Sequence, residues 1–397
     1  MYINRFMRFM KDDLGELEKI KEGGLYRQLQ TVETMSDQGY AMVNGHKMMM
    51  FASNNYLGLA NDQRLIEASV QATQRFGTGS TGSRLTTGNT IVHEKLEKRL
   101  AEFKQTDAAI VLNTGYMANI AALTTLVGRD DLILSDEMNH ASIIDGCRLS
   151  RAETIIYRHT DLLDLEMKLQ INTRYRKRII VTDGVFSMDG DIAPLPGIVE
   201  LAKRYDALVM VDDAHATGVL GKDGRGTSEH FGLKGKIDIE MGTLSKAVGA
   251  EGGYIAGSRS LVDYVLNRAR PFVFSTALSA GVVASALTAV DIIQSEPERR
   301  VRIRAMSQRL YNELTSLGYT VSGGETPILA IICGEPEQAM FLSKELHKHG
   351  IYAPAIRPPT VPSGTSRIRL TLMATHQEEQ MNHVIDVFRT IRTNRYK

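Results

Sequence analysis

Two cysteines in 397 residues, Cys147 and Cys333, exclude a disulfide framework, and their wide separation excludes the CxxC spacing of a metal site. A reducing, cytoplasmic setting is therefore expected. An excess of one charge is also missing. The 47 Lys and Arg against 46 Asp and Glu leave a net +1, which excludes an electrostatic footprint for nucleic acid or an anionic membrane. Repeats and low-complexity segments are absent. The opening stretch "MYINRFMRFMKDDLGELEKIKEGG" has charges interrupting every apolar cluster and no small-residue cleavage site, so an amphipathic helix is expected rather than a signal peptide. One charge-free run, Pro271 to Val290, is long enough to span a bilayer, but it is rich in Ser, Thr, Ala and Gly and has no second like it. It is expected to form a buried strand and then a buried helix.

What is present is an alternation. Short apolar runs rich in β-branched residues, "AAIVLN" (108–113), "DLILSD" (131–136), "TIIYRH" (154–159), "RIIVTD" (178–183), "ALVMVDD" (207–213) and "IDIEMGT" (237–243), are separated by helix-like stretches such as "LPGIVELAKRYDA". This implies βαβ units and an α/β fold with a mostly parallel sheet covered by helices. The tail differs, with a long helix near 278–318, strands at 327–333 and 366–372, and helices at 336–350 and from about 376. Three units are expected: an N-terminal arm and helix (1–60), a large α/β domain (61–290) and a smaller C-terminal α/β domain (291–397). Ligands of open parallel sheets sit outside the carboxyl ends of the strands. The polar clusters following the runs, "NTGY", "DEMNHAS", "DGVFSMDGD", "DDAHATG" and "TLSK", are therefore expected to share one site.

Familiar motifs fail on context. "GTGSTG" (77–82) matches GxGxxG, but a helical segment precedes it and a loop follows, the reverse of a dinucleotide site. Lys222 and Lys236 each follow Gly, yet Asp223 and Ile237 stand where a P-loop needs Ser or Thr. His140 and His215 are 75 residues apart with no ligand spacing of a metal site, so no metal is expected. Lys246 and Asp212 together suggest different chemistry. A buried carboxylate keeps a pyridine nitrogen protonated, and the ring then acts as an electron sink. A lysine at a neighbouring strand end forms a Schiff base and moves protons at the same carbon. "TGYMANIAAL" offers a phosphate the N–H groups of Gly115 and Tyr116 at a helix N-terminus, and Thr243 adds a hydroxyl. Each has a bland alternative: a helix cap, a solvated lysine, a turn. Taken together they point to pyridoxal 5'-phosphate (PLP).

The stretches "SNNYLGLA", "GTGSTGSRLTTGNTIVHEKLE", "NHASIIDG", "TDGVFSMDGDIAPL", "VDDAHATGVLG" and "GTLSKAVGAEGG" resemble the α-oxoamine synthases, PLP enzymes of fold type I, from about residue 15 to 390. The resemblance implies homodimers that join an amino acid to an acyl-CoA with loss of CoA and CO₂. It also implies Lys246 as the Schiff-base lysine, Asp212 as the ring-nitrogen partner, His215 on the ring hydroxyl and His140 on the ring face. Gly115, Tyr116 and Thr243 would hold the phosphate, with Ser187 nearby and Thr276 reaching the phosphate of the partner subunit. Asn55, His140, Thr360 and Arg369 would contact substrate, Arg369 through its carboxylate. The tail "YAPAIRPPTVPSGTSRIRLTLMATH" resembles members that use L-alanine and a pimeloyl thioester, carried by CoA or by an acyl-carrier protein. Arg357 or Arg27 would then meet the second carboxylate of the pimeloyl chain, unless Arg357 only forms an ion pair within the protein. The alternatives are a member that uses glycine and acetyl-CoA, and a non-catalytic binding protein on the same fold. Asp183 stands where relatives often carry Glu, and no role is assigned to it.

Overall fold

The structure, a computed structural model, describes residues 10–23, 26, 28–36 and 38–394. Arg27 lies outside them. The amphipathic N-terminal segment forms a helix, Lys11–Glu22. Strands β1 (Val32–Met35), β2 (Tyr40–Val43) and β3 (His46–Met50) follow as an antiparallel meander.

The central sheet is built from β4 (Ala108–Leu112), β5 (Leu132–Asp136), β6 (Glu153–Tyr157), β7 (Arg178–Asp183), β8 (Leu208–Asp212), β9 (Ile239–Thr243) and β10 (Gly253–Gly257), in the spatial order β4-β10-β9-β8-β7-β5-β6. All run parallel except β10, which is antiparallel to both β4 and β9. The strands read as unbroken apolar runs because both faces are buried. Along β7, Ile179 and Val181 enter one core cluster with Ile110 and Leu112, while Ile180 enters another with Leu134, Val209 and Val211. The carboxyl ends of β4, β5, β7, β8 and β9 thus open on one edge.

The C-terminal strands are β11 (Val321–Gly323), β12 (Ile328–Gly334), β13 (Ile351–Tyr352), β14 (Ala355–Ile356) and β15 (Ser366–Thr371). Four of them form a second sheet, β11-β12-β15-β14, while β13 runs parallel to β3 and joins the N-terminal meander. The arm and the C-terminal part are therefore built together.

Three expectations are corrected. β10, "GYIAG", is missing from the apolar runs because it begins and ends in glycine and holds only three apolar residues between them. Those glycines are required, since a Cβ on Gly253 would stand 2.5 Å from the Thr114 carbonyl oxygen. The run opening at Pro271 does not start as a strand. Pro271 sits in the first turn of a short helix, Arg270–Val273, a position its fixed φ favours. The long helix near 278–318 is two, Ala280–Ser295 and Glu298–Ser316, separated at Glu296 and Pro297, where a proline N–H is missing. No described helix is long and apolar enough to cross a membrane.

Candidate active site

Lys246 follows β9 and is partly buried. Its Nζ lies 2.8 Å from Nε2 of His215, whose Nδ1 lies 2.6 Å from the Tyr56 hydroxyl. Tyr56 donates to Asn54 Oδ1 at 3.1 Å, and the Arg369 guanidinium donates to the same oxygen at 3.1 and 3.2 Å. Burial, with the charges of Lys246, Arg369 and His140, holds the His215 pKa well below its ordinary value. A neutral ring that accepts from an ammonium at Nε2 carries its hydrogen on Nδ1, so His215 donates to Tyr56 and every proton in the chain has one place. Burial also pulls Lys246 down to about 8, aided by Arg369 and opposed by Asp212 and Asp183. The glycines after the lysine create this confinement. Gly249 has φ +72°, and a Cβ there would lie 2.6 Å from the Ala60 nitrogen, so the lysine loop packs backbone to backbone on the Leu59–Ala60 turn.

Asp212 ends β8 and is buried. Its carboxylate accepts from the Ala214 N–H at 2.8 Å and from Asn119 Nδ2 at 2.7 Å. The other Asn119 amide hydrogen goes to Ser142 Oγ at 2.8 Å, and Ser142 donates to His140 Nδ1 at 2.7 Å. His140 caps the helix Ala141–Ser150, and its own N–H donates to Asp183 Oδ2 at 2.8 Å. Asp183 sits directly beside Asp212 in the β7–β8 register. Burial and the Asp212 charge push Asp183 well above the usual carboxylate range, while burial raises Asp212 against the pull of Asn119 and Lys246. Burial, with the Lys246 charge, lowers His140.

This set fits the ring of a PLP molecule. Asp212 has used two of its acceptor directions and retains capacity for a ring N–H. A phosphate would fit at Gly115, the first residue of the helix Gly115–Leu126. Its N–H and that of Tyr116 precede the first intrahelical bond, Ala118 to Thr114, so both face outward from the helix start. A Cβ on Gly115 would press on Met241 and Thr243 at 3.2 and 3.3 Å. The Thr243 hydroxyl donates to the Gly252 carbonyl at 2.8 Å and receives Ser245 Oγ at 2.8 Å, so its proton is already engaged. The Tyr116 phenol turns away to Asp145, leaving its backbone at the cradle.

Arg369, on β15, also donates through Nε to the Ser187 carbonyl, so Ser187 meets the site at Arg369 through its backbone. Arg367, two residues away, is tied to Asp189. Asn55 Oδ1 accepts from the Ala60 N–H at 3.2 Å, and the neighbouring Asn54 is the residue that reaches Arg369. Thr276 is exposed, and its carbonyl accepts from Asn113 at 2.8 Å. Arg357 and Thr360 lie in the segment between β14 and β15 that leads to Arg369. Sequence reasoning assigned no role to Asn54, Tyr56, Asn119 or Asp183. Only Asn119 had a clear signal, as a lone amide in the apolar helix "GYMANIAAL".

Residues 46–388 match the family described as "Aminotransferase class I and II", and the chain belongs to it. The fold is that of the PLP-dependent enzymes of fold type I. The 8-amino-7-oxononanoate synthase of Lysinibacillus sphaericus is 52% identical over 376 residues, 95% of this chain and 96% of that one. Serine palmitoyltransferase from S. paucimobilis, solved with PLP and myriocin, superposes with TM-score 0.92 at 32% identity, covering 97% of each chain. The 8-amino-7-oxononanoate synthase of Francisella tularensis superposes with TM-score 0.77 at 27% identity, covering 88% of this chain and 99% of that one.

Proposed function

We propose that this protein binds PLP and condenses L-alanine with a pimeloyl thioester, releasing the thiol and CO₂ and giving 8-amino-7-oxononanoate, a step of biotin biosynthesis. The reading rests on one observation above the others: a lysine held near pKa 8 is wired through His215, Tyr56 and Asn54 to an arginine on the C-terminal sheet. The relatives at about half identity over the whole chain support the same reaction.

Bound here, PLP would supply a carbonyl carbon for amine attachment and a ring that withdraws electrons from the bonds broken at the alanine α-carbon. The residues supply the rest. With its pKa near 8, Lys246 is partly unprotonated at neutral pH, and it takes the α-proton and later returns one. Asp212, fixed by Asn119 and Ala214, keeps a negative charge at the ring nitrogen. His215 would hold the ring hydroxyl and His140 would face the ring. Gly115 and Tyr116 would hold the phosphate by backbone N–H, with Thr243 beside Gly115, Ser187 nearer Arg369 and Thr276 serving the partner subunit. Arg369 grips the alanine carboxylate in a forked geometry. Arg357, or Arg27, meets the far carboxylate of the pimeloyl chain, and Asn55 and Thr360 complete the substrate contacts. The protein works as a cytoplasmic homodimer, with arm, large and small domains divided near residues 60 and 290, and takes its acyl group from CoA or an acyl-carrier protein.

The test is thiol release by the PLP-loaded enzyme, with alanine and pimeloyl-CoA set against glycine and acetyl-CoA. Faster release with the first pair is expected. Faster release with the second refutes the substrate assignment. Lys246→Ala should retain PLP and lose turnover, and near-normal turnover would refute the mechanism.

A further inference from the structure

His159 lies in the turn after β6. Its Nδ1 is 2.8 Å from Asp136 Oδ1 and its Nε2 is 3.0 Å from Asp191 Oδ2. Carboxylate oxygens only accept, so a ring that donates at both nitrogens carries both hydrogens and is a cation. Its edge also packs on Phe186, with ring centroids 4.4 Å apart at 90°. Burial opposes the charge, but the hydrogen bonds to the two aspartates outweigh it and raise the pKa to about 10.

The two carboxylates belong to different parts of the site. Asp136 ends β5, and its Oδ1 also accepts the Met138 N–H at 2.9 Å, at the start of the turn that presents His140. Asp191 lies on the returning arm of a hairpin, residues 184–193, closed by the Val185–Ile192 bridge and by the Phe186 N–H to the Asp191 carbonyl at 3.0 Å. The tip of that hairpin holds the C-terminal sheet. Ser187 takes Arg369, Asp189 takes Arg367, and the Gly190 carbonyl takes the Thr326 hydroxyl at 2.9 Å.

We infer that His159 is a positioning residue: as a doubly donating imidazolium it clamps the hairpin to which Arg369 is bonded to the turn that presents His140, and so sets the place of the amino-acid carboxylate relative to the reacting carbon. The inference rests on the reading above that Arg369 binds that carboxylate. Its consequence falls first on the amino-acid side, because the hairpin bonds Arg369 directly through Ser187 and reaches Arg357 only through Arg367, whose register partner is Ile356.

The experiment measures L-alanine binding to the PLP-loaded enzyme at equilibrium, from the change in the cofactor absorbance with no thioester present, and separately the KM for pimeloyl-CoA. His159→Phe keeps a ring against Phe186 and removes both donors. Asp191→Ala removes only the acceptor on the hairpin side and serves as a second, milder variant should the first fold poorly. Each is expected to raise the alanine Kd about tenfold, the scale of one charge-assisted hydrogen bond, with the pimeloyl-CoA KM changed less than about twofold. His159→Arg, which restores charge and two donors, should recover most of the loss. An alanine Kd within about twofold of wild type in both variants, while Arg369→Ala loses alanine binding, overturns the inference and leaves the reading of Arg369 standing. Equal deterioration of both constants also overturns it, since the role is then general stability. Unchanged alanine binding in Arg369→Ala removes the reading itself, and the inference with it.

Discussion

Lys104 offers a sharp test of how the floor of the site is held. Its side chain is fully buried, with Nζ 2.9 Å from Asp213 and 2.7 Å from Glu240, and it also donates to the Arg225 carbonyl. Asp213 is the neighbour of Asp212 and ties the end of β8 to β9 through its N–H to the Met241 carbonyl at 2.8 Å. Lys104→Met keeps most of the volume and removes the charge, leaving two buried carboxylates without a cation. Breaking a buried pair this way costs about 3–5 kcal/mol, most of it the stranded charge rather than the lost attraction. Burial already raises the Glu240 pKa and Lys104 restrains it, so without the lysine it rises further. The folded variant then binds a proton that the unfolded chain releases, and its stability improves as pH falls through that raised value. Urea unfolding at fixed PLP concentration, followed by circular dichroism at several pH values, measures both effects. Lys104→Met combined with Glu240→Gln should recover part of the loss at neutral pH. A loss below about 1 kcal/mol, the scale of a surface pair, or one that does not shrink toward acid pH, would refute the reasoning.

Further outcomes follow from the same geometry. Burial lowers His93 and His376 to about 4, and a base whose folded pKa is depressed contributes stability that is full above its unfolded value, near 6.5, and lost as pH falls toward 4. The thermal midpoint should therefore fall across that window, and His376→Gln should flatten the slope; a flat wild-type profile contradicts this. Gly249→Ala forces both a left-handed φ and a 2.6 Å contact with the Ala60 nitrogen, and should destabilise the protein by at least about 2 kcal/mol in the same unfolding assay. Tyr56→Phe removes the hydroxyl between His215 and Asn54 and should lower the rate of thiol release about tenfold at saturating substrate, with the acyl-thioester KM little changed. An unchanged rate would mean that the chain from Lys246 to Arg369 carries no catalytic weight.

Much of this architecture was legible along the chain. A parallel sheet buried on both faces writes itself as unbroken apolar runs, and the polar residues closing each run necessarily share one edge. The pattern alone thus brings Asp212, His215 and Lys246 to one edge. Local pattern also defeated the decoy "GTGSTG", which does follow the helix Gln63–Phe76. What resisted reading has a physical cause in each case. β10 is too glycine-rich to look like a strand, and Gly253 is explained only by the backbone of Thr114 and Gly115 beside it. That Asn54 reaches Arg369 depends on which side chain of a turn faces β15, some 315 residues away. Asn119 could be noticed in an apolar helix, but that its two hydrogens divide between Asp212 and Ser142 follows only from packing. The order of residues determined the sheet, its polar edge and the place of Lys246 on that edge, because those depend on periodicity and strand ends. The tertiary structure alone decided how Lys246 is wired to Arg369 and how Asp183 is pressed against Asp212, because these contacts join segments that only close packing brings together.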